Sequence, residues 1–261
     1  MVQRIFEKFS EMPSVEAIAL GGSRAGEIFD EKSDYDVYIY CTENISETER
    51  KNILSEFCSY MEIGNHFWEY EDNCTLKNGI DIDILYRDLN DICEGVADVV
   101  ERYNAHNGYT TCIWHNLINS KIIFDRNGRL AQAQKRFSVE YPEKLKENII
   151  KRNMALLSEK MPAYKFQIKK AVERNDVVSI NHRTSAFMES YFDIIFALNK
   201  LTHTGEKRLV RICREKCKIL PDDFEENINQ LFKDLFNDKD KICEDLEKMI
   251  SELKKIIGVE I

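Results

Sequence analysis

The sequence predicts an α+β chain, with a mixed sheet and flanking helices in residues 1–127 and an all-α helical bundle in residues 128–261. Three observations carry this reading. Short alternating apolar segments, several bearing acids, recur between turn signals through the first half. From Arg129 onward, apolar residues fall at helical spacing, with Pro142, Pro162, Gly205 and Pro221 as the few interruptions. Charge divides at the same place: residues 1–127 hold 11 Lys and Arg against 24 Asp and Glu, a net of −13, whereas residues 128–261 hold 26 against 22, a net of +4.

Taken in order, Val2 to Phe9 is a short amphipathic helix that Met12-Pro13-Ser14 breaks, and Glu16 to Leu20 is the first strand. A second strand follows at Asp34 to Tyr40. Ser46-Glu47-Thr48-Glu49 has capping-box spacing and opens a helix to about Met61. A hairpin comes next, its first strand around His66 to Asn73, joined through Lys77-Asn78-Gly79 to the strand Gly79–Tyr86, because Asn-Gly tolerates positive φ. Leu89 to Tyr103 reads as a helix with Asp88 as N-cap, and Lys121 to Asp125 as a last strand. In the second half, Phe187, Tyr191, Ile194, Ile195 and Leu198 form a wide apolar stripe, and Lys239 to Ile257 reads as a charged outer helix.

The chemistry concentrates in two neighbouring segments. Ala19-Leu20-Gly21-Gly22-Ser23 ends the first strand in a turn without bulk, where backbone N–H groups and a serine hydroxyl can approach a triphosphate. Ten residues after the serine, Asp34-Tyr35-Asp36 begins an apolar strand. Side chains alternate in a strand, so Asp34 and Asp36 share one face. Paired carboxylates are hard oxygen ligands suited to Mg²⁺, which keeps substrate phosphates among its ligands.

This combination of apolar strand, Gly-Ser, spacer and Asp-x-Asp resembles the nucleotidyltransferase superfamily that includes DNA polymerase beta and the antibiotic nucleotidyltransferases. The resemblance implies a polymerase beta-like catalytic domain and a third carboxylate on a later strand. Asp81 and Asp83 both lie on one face of such a strand. Asp83 is favoured, because Asp83-Ile84-Leu85-Tyr86-Arg87-Asp88 is similar to the related segment of a bacterial branch, while Asp81 remains the alternative. Phe196-Ala197-Leu198-Asn199, followed by His203-Thr204-Gly205-Glu206-Lys207-Arg208, resembles the second-domain motif of bacterial nucleotidyltransferases of the DUF4037 type.

The expected catalytic and metal-binding set is thus Asp34, Asp36 and Asp83, holding two Mg²⁺ ions. The expected nucleotide-binding set is Gly22, Ser23, Arg24, Asn199 and Lys207. Lys207, with Arg208 or Arg183, would neutralise outer phosphate oxygens from a bundle that closes the cleft; Asn199 either touches nucleotide or satisfies backbone near a helix end. His182 and His203 are read as structural. Glu189 and Asp193, one helical turn apart, suit a cationic acceptor or a general base, or are simply surface acids.

Composition bounds the rest. At 261 residues and 43% apolar, the chain can fill two cores. No apolar run approaches the roughly twenty residues that span a bilayer, and Met1 to Lys8 lacks a signal-peptide core, so a cytoplasmic location is expected. Eight scattered cysteines show no zinc spacing and read as reduced thiols. The acidic first half argues against a large nucleic-acid footprint, which rests on Lys and Arg. The expected reaction moves a nucleoside monophosphate, from ATP or another NTP, to a hydroxyl of a small molecule such as an aminoglycoside or lincosamide. Protein or RNA acceptors and a non-catalytic nucleotide-binding regulator are the alternatives, and the chain is expected to be a monomer or homodimer.

Overall fold

A computed structural model describes residues 1–25 and 33–260, apart from the side chains of Ser23, Val259 and Glu260. The chain forms two compact units: 1–97 with 113–139, and 98–112 with 140–261. The division therefore falls after residue 139 rather than after 127, and the segment 98–112 is exchanged between halves of the sequence.

The first unit holds a six-stranded mixed sheet in the order β3-β4-β5-β2-β1-β6. The strands are β1 (Val15–Leu20), β2 (Tyr35–Cys41), β3 (Cys58–Asn65), β4 (Glu71–Leu76), β5 (Asp81–Arg87) and β6 (Lys121–Asp125). Only β2 and β5 pair in parallel among these neighbours; the other four pairings are antiparallel. One face is apolar. Ile18, Leu20, Val37, Ile39, Ile82 and Ile84 pack with Ile5, Phe6 and Phe9 of α1 (Val2–Ser10) and Leu54 of α2 (Glu47–Ser55).

The local signals act as expected in several places. Ser46 and Glu49 form the reciprocal capping box of α2, and Asp88 Oδ1 accepts from Asn90 N at 2.6 Å to cap α3 (Leu89–Val100). Gly79 has φ +83° in the turn between β4 and β5. The expected helix to Met61 is shorter, ending at Ser55, and Cys58–Asn65 is instead the edge strand β3. Its backbone pairs with β4, while Met61 and Ile63 pack against the core, so tertiary pairing overrides the helical reading.

Helix α5 (Arg129–Phe137) stays with the sheet, which is why the division lies later than the charge pattern suggests. Asp125 accepts from the N–H groups of Leu130 and Ala131, Arg129 pairs with Glu16 at 2.5 Å, and Trp114 Nε1 of α4 (Cys112–Asn119) donates to Phe137 O at 2.8 Å.

The second unit is helical: α6 (Glu143–Met154), α7 (Tyr164–Glu173), α8 (Val177–Leu198), α9 (Leu209–Lys216), α10 (Phe224–Asn237) and α11 (Ile242–Glu260). The apolar stripe read from the sequence is the buried face of α8, capped at Asp176 by a 3.0 Å bond from Ser179 N. Among the described residues, no helix is long and apolar enough to cross a membrane.

Under the apolar face of the sheet lies a buried ion pair. Arg50 Nη1 of α2 meets Asp72 Oδ1 of β4 at 2.6 Å, both side chains being fully enclosed. Asp72 also accepts from Gly64 N and Tyr86 Oη, each at 2.8 Å, and Arg50 reaches Tyr70 Oη. Removing one member strands a buried charge. Asp72→Ala is expected to lower unfolding free energy by about 3–5 kcal/mol, read as a shift of the urea midpoint; a loss under about 1 kcal/mol would contradict this account.

Candidate active site

The site begins where β1 stops. Gly21 N donates to Asp36 O at 2.8 Å, closing the β1–β2 ladder, and Ser23–Ala25 then turns once as a 3-10 helix. Gly22 has φ +55°, and a Cβ there would lie 1.8 Å from Asp36 Oδ2; a Cβ on Gly21 would lie 2.4 Å from Tyr38 Oη. Both glycines therefore lie directly beneath side chains of β2, and Gly22 is required twice over, by conformation and by space.

Arg24 is placed beside this turn. Its Nε donates to Ser33 O at 2.7 Å and to Asp34 O at 3.2 Å, and its guanidinium lies 3.9 Å from the centre of the Tyr35 ring. Expected at the nucleotide, it here fastens the backbone that leads into β2. The side chain of Ser23 lies outside the described part of the structure. Asp34 is exposed, just before β2 begins.

Asp36 and Asp83 are brought together. In the parallel β2–β5 pairing they are direct partners, so both project from the same face on strands about 4.8 Å apart. Asn73 Nδ2 of β4, opposite Asp83 in register, donates to Asp83 Oδ1 at 2.8 Å. Asn73 Oδ1 in turn accepts from Asn65 Nδ2 at 2.6 Å, and that amide also reaches Glu62 Oε2 at 3.2 Å. Asp81 lies two residues along, exposed, accepting from Thr75 Oγ1 at 2.8 Å. The strand register thus separates the two candidates for a third carboxylate, with Asp83 as the partner of Asp36.

The sequence reading missed Asn73, Asn65, Glu62 and Glu71. The alternation Glu71, Asn73, Thr75 in β4 is the signal that places Glu71 and Asn73 on the face of Asp83, whereas Glu62 and Asn65 reach it only through the pairing of β3 with β4. Burial is the main cause that raises the Glu71 carboxyl above its ordinary pKa, with Asp83 and Glu69 adding like charge and the Asn73 bond opposing. Farther along the same face, the Arg87 guanidinium lies 4.0 Å from the Tyr38 ring centre and pairs with Glu69 through bonds of 2.8 and 2.7 Å. Burial raises the Tyr38 hydroxyl and pushes that of Tyr40 up to about 12.

Two carboxylates side by side above a glycine turn are the oxygen ligands Mg²⁺ takes when phosphates and water complete its shell. Among the described residues, no group of three or more His, Cys, Asp and Glu side chains is arranged to hold a metal ion.

The residues expected from the second unit are placed as follows. Asn199 caps the C-terminus of α8: Nδ2 donates to Ile195 O and Ile219 O at 2.9 and 2.8 Å, and Oδ1 accepts from Lys218 N and Ile219 N, both at 2.8 Å. Both amide protons and both lone pairs are committed, so the backbone-bracing alternative accounts for this side chain and leaves no bond for a nucleotide. Lys207 is exposed in the turn before α9. His203 is fully buried, its ring 4.7 Å from those of Tyr109 and Phe196. Asp193 is no surface acid: Thr110 donates to it from N and Oγ1 at 3.1 and 2.6 Å, and Asn153 Nδ2 at 3.1 Å.

Residues 110–208 match the family described as a domain of unknown function, DUF4037. The likeness noted at Phe196–Arg208 ends that segment, and the glycine turn and the Asp36 and Asp83 strands lie outside it. No curated protein matches the chain. Among solved structures it is similar to a nucleotidyltransferase-like protein from Exiguobacterium sibiricum 255-15, at 9% identity over 98% of this chain and 72% of that one, TM-score 0.44. It is also similar to an aminoglycoside 6-adenyltransferase from Bacillus subtilis, at 10% identity over 100% and 88%, TM-score 0.31. A third is the CCA-adding enzyme of Thermotoga maritima, at 12% identity over 98% and 81%, TM-score 0.31.

Two glycines separate the conformational from the steric requirement. Gly79 has φ +83° with nothing within 4 Å of an added Cβ, whereas Gly22 has both a positive φ and the Asp36 contact. Gly79→Ala is expected to cost about 1 kcal/mol and Gly22→Ala about 2–3 kcal/mol. Urea denaturation of the two variants checks the order, and equal losses would remove the close contact from the account.

Proposed function

We propose that the first unit transfers a nucleoside monophosphate from an NTP, with ATP the first choice, to a hydroxyl of a small molecule. The observation that supports this most is the in-register Asp36–Asp83 pair facing the Gly21-Gly22 turn. Sequence resemblance to nucleotidyltransferases points the same way, and the net charge of −13 over residues 1–127 weighs against a long nucleic-acid acceptor.

In this reading Asp36 and Asp83, with Asp34, hold Mg²⁺, and Gly22 and Ser23 let the triphosphate approach the backbone. The bound ion supplies charge neutralisation at the phosphates and makes an acceptor hydroxyl more acidic. Asn73 fixes the rotamer of Asp83, leaving its second oxygen for ligation. The acceptor oxygen forms a bond to the α-phosphorus, the bond from that phosphorus to the bridging oxygen breaks, and pyrophosphate leaves with the electron pair. A carboxylate oxygen of Asp36 or Asp83 takes the hydroxyl proton. Aminoglycosides and lincosamides are the first acceptors to try.

Mg²⁺-dependent pyrophosphate release with each NTP and an acceptor panel tests the proposal. Asp36→Asn and Asp83→Asn are each expected to lower the rate about a thousandfold, while Asp81→Asn stays within about twofold. Acceptor-independent Mg-ATP binding without release would instead favour a regulator. Asn73→Ala is expected to lower the rate about ten- to a hundredfold, as loss of an orienting partner does. Full activity in that variant would show that Asp83 needs no fixing.

A further inference from the structure

The second unit contains a cavity of about 430 Å³ at the middle of α8, within the usual size range of small-molecule sites. Its walls include Tyr109, Met188, Phe192 and Phe232, and two carboxylates, Glu189 and Glu206. No Lys or Arg is among the described lining residues. Among the described residues, neither carboxylate has a hydrogen-bond or ion-pair partner, although Glu189 is half-buried. Burial raises the Glu189 carboxyl above its ordinary value, which His182 partly opposes. An anion in that position is short of countercharge.

The aromatic walls are held in advance. Tyr109 adopts φ +51°, a conformation unfavourable for a bulky residue, and its ring meets that of His203 edge-on at 4.7 Å. The flanking residues enforce it: Gly108 N donates to Asn153 Oδ1 at 3.2 Å, and Thr110 donates twice to Asp193. Gly108 itself packs so close to α8 that a Cβ would lie 2.8 Å from Glu189 Cβ. On the other wall, the Phe192 ring is set edge-on to Phe224 at 6.2 Å. Strain kept by surrounding structure, at the rim of a cavity, points to a use for the cavity.

We infer that this cavity binds an organic ammonium ion carried on an apolar body, its charge against Glu189 and Glu206 and its body against Tyr109, Phe192 and Phe232. An anion would meet two carboxylates. A neutral hydrocarbon would leave the half-buried Glu189 carboxylate without a countercharge. A polyhydroxylated polyamine would cover the apolar wall with groups that find no partner there. A single amine satisfies both halves, since rings prefer cations at their faces and fixed rings cost little entropy to engage. This inference stands apart from the transfer reaction, because binding rather than turnover tests it.

The test is calorimetric titration of the full chain at pH 7 with 4-phenylbutylamine, which is protonated, and with its neutral counterpart 4-phenylbutan-1-ol. The amine is expected to bind at least about tenfold more tightly than the alcohol. Glu189→Gln is expected to abolish that preference while leaving alcohol binding in place, and Phe232→Ala to weaken both ligands. Glu206→Gln, at an exposed position that folding does not depend on, is expected to lower amine affinity several-fold. Equal affinity for the two ligands, amine binding unchanged in both glutamine variants, or no saturable amine binding to roughly 10 mM would each overturn the inference.

Discussion

The parallel register of β2 and β5 is the constraint on which the candidate site depends. Asp36 stands beside Asp83 because Val37 stands beside Ile84 and Tyr35 beside Ile82. Val37, Ile39, Ile82 and Ile84 are essentially excluded from water. Slipping either strand by one residue would turn its apolar set outward and its acid inward. The apolar face thus fixes the acidic one. Two carboxylates are held next to each other against their repulsion because core packing on the opposite side leaves no other register.

Strand β4 shows the same division within a few residues. Asp72 points into the core, where Arg50, Gly64 and Tyr86 satisfy it, and its neighbours Glu71 and Asn73 point to the site. The two faces use polar groups differently. On the core side a carboxylate is paired with a cation and closed off. On the site side Asp83 receives an amide, whose donor leaves the acid its charge and one oxygen unclaimed by Asn73. The chain Asn73, Asn65, Glu62 then runs outward to the edge strand, so orientation of the acid depends on β3 as well as on its own strand.

How much was legible in the sequence follows from what kind of interaction set each feature. Alternation and turn chemistry are local, so β1, β2, β5 and β6, the Ser46 and Asp88 caps and the buried stripe of α8 were all read within a residue or two. Strand β3 was not, because it is specified by its partner β4. Asn73 went unnoticed because it matters only through the β4–β5 register. Asn199 and Asp193 show the same limit in the second unit: a polar residue near a helix end or on a helix face gives no sign of whether it meets solvent, ligand or backbone. The division between units was placed too early because charge and helical spacing change near residue 128, while packing of Leu130, Ala133 and Phe137 keeps α5 with the sheet.

The segment 98–112 explains why the second unit is discontinuous in sequence. A buried carboxylate needs donors, and Asp193, whose carboxyl burial pushes up to about 6, sits on a helix whose own N–H groups are already used. The donors come from Thr110, on the excursion, and from Asn153 of α6, which also holds Gly108 N and His106 O. His203 N then donates to Thr111 Oγ1 at 2.7 Å, tying the turn after α8 to the same segment. Each contact is a hydrogen bond to a backbone group or a short side chain, with few rotatable bonds between it and the main chain. The result is that Tyr109, carried between Gly108 and Thr110, has little freedom left. A residue in the left-handed region at a cavity wall is thereby accounted for by the polar groups on either side of it, starting from one aspartate that helix α8 buries.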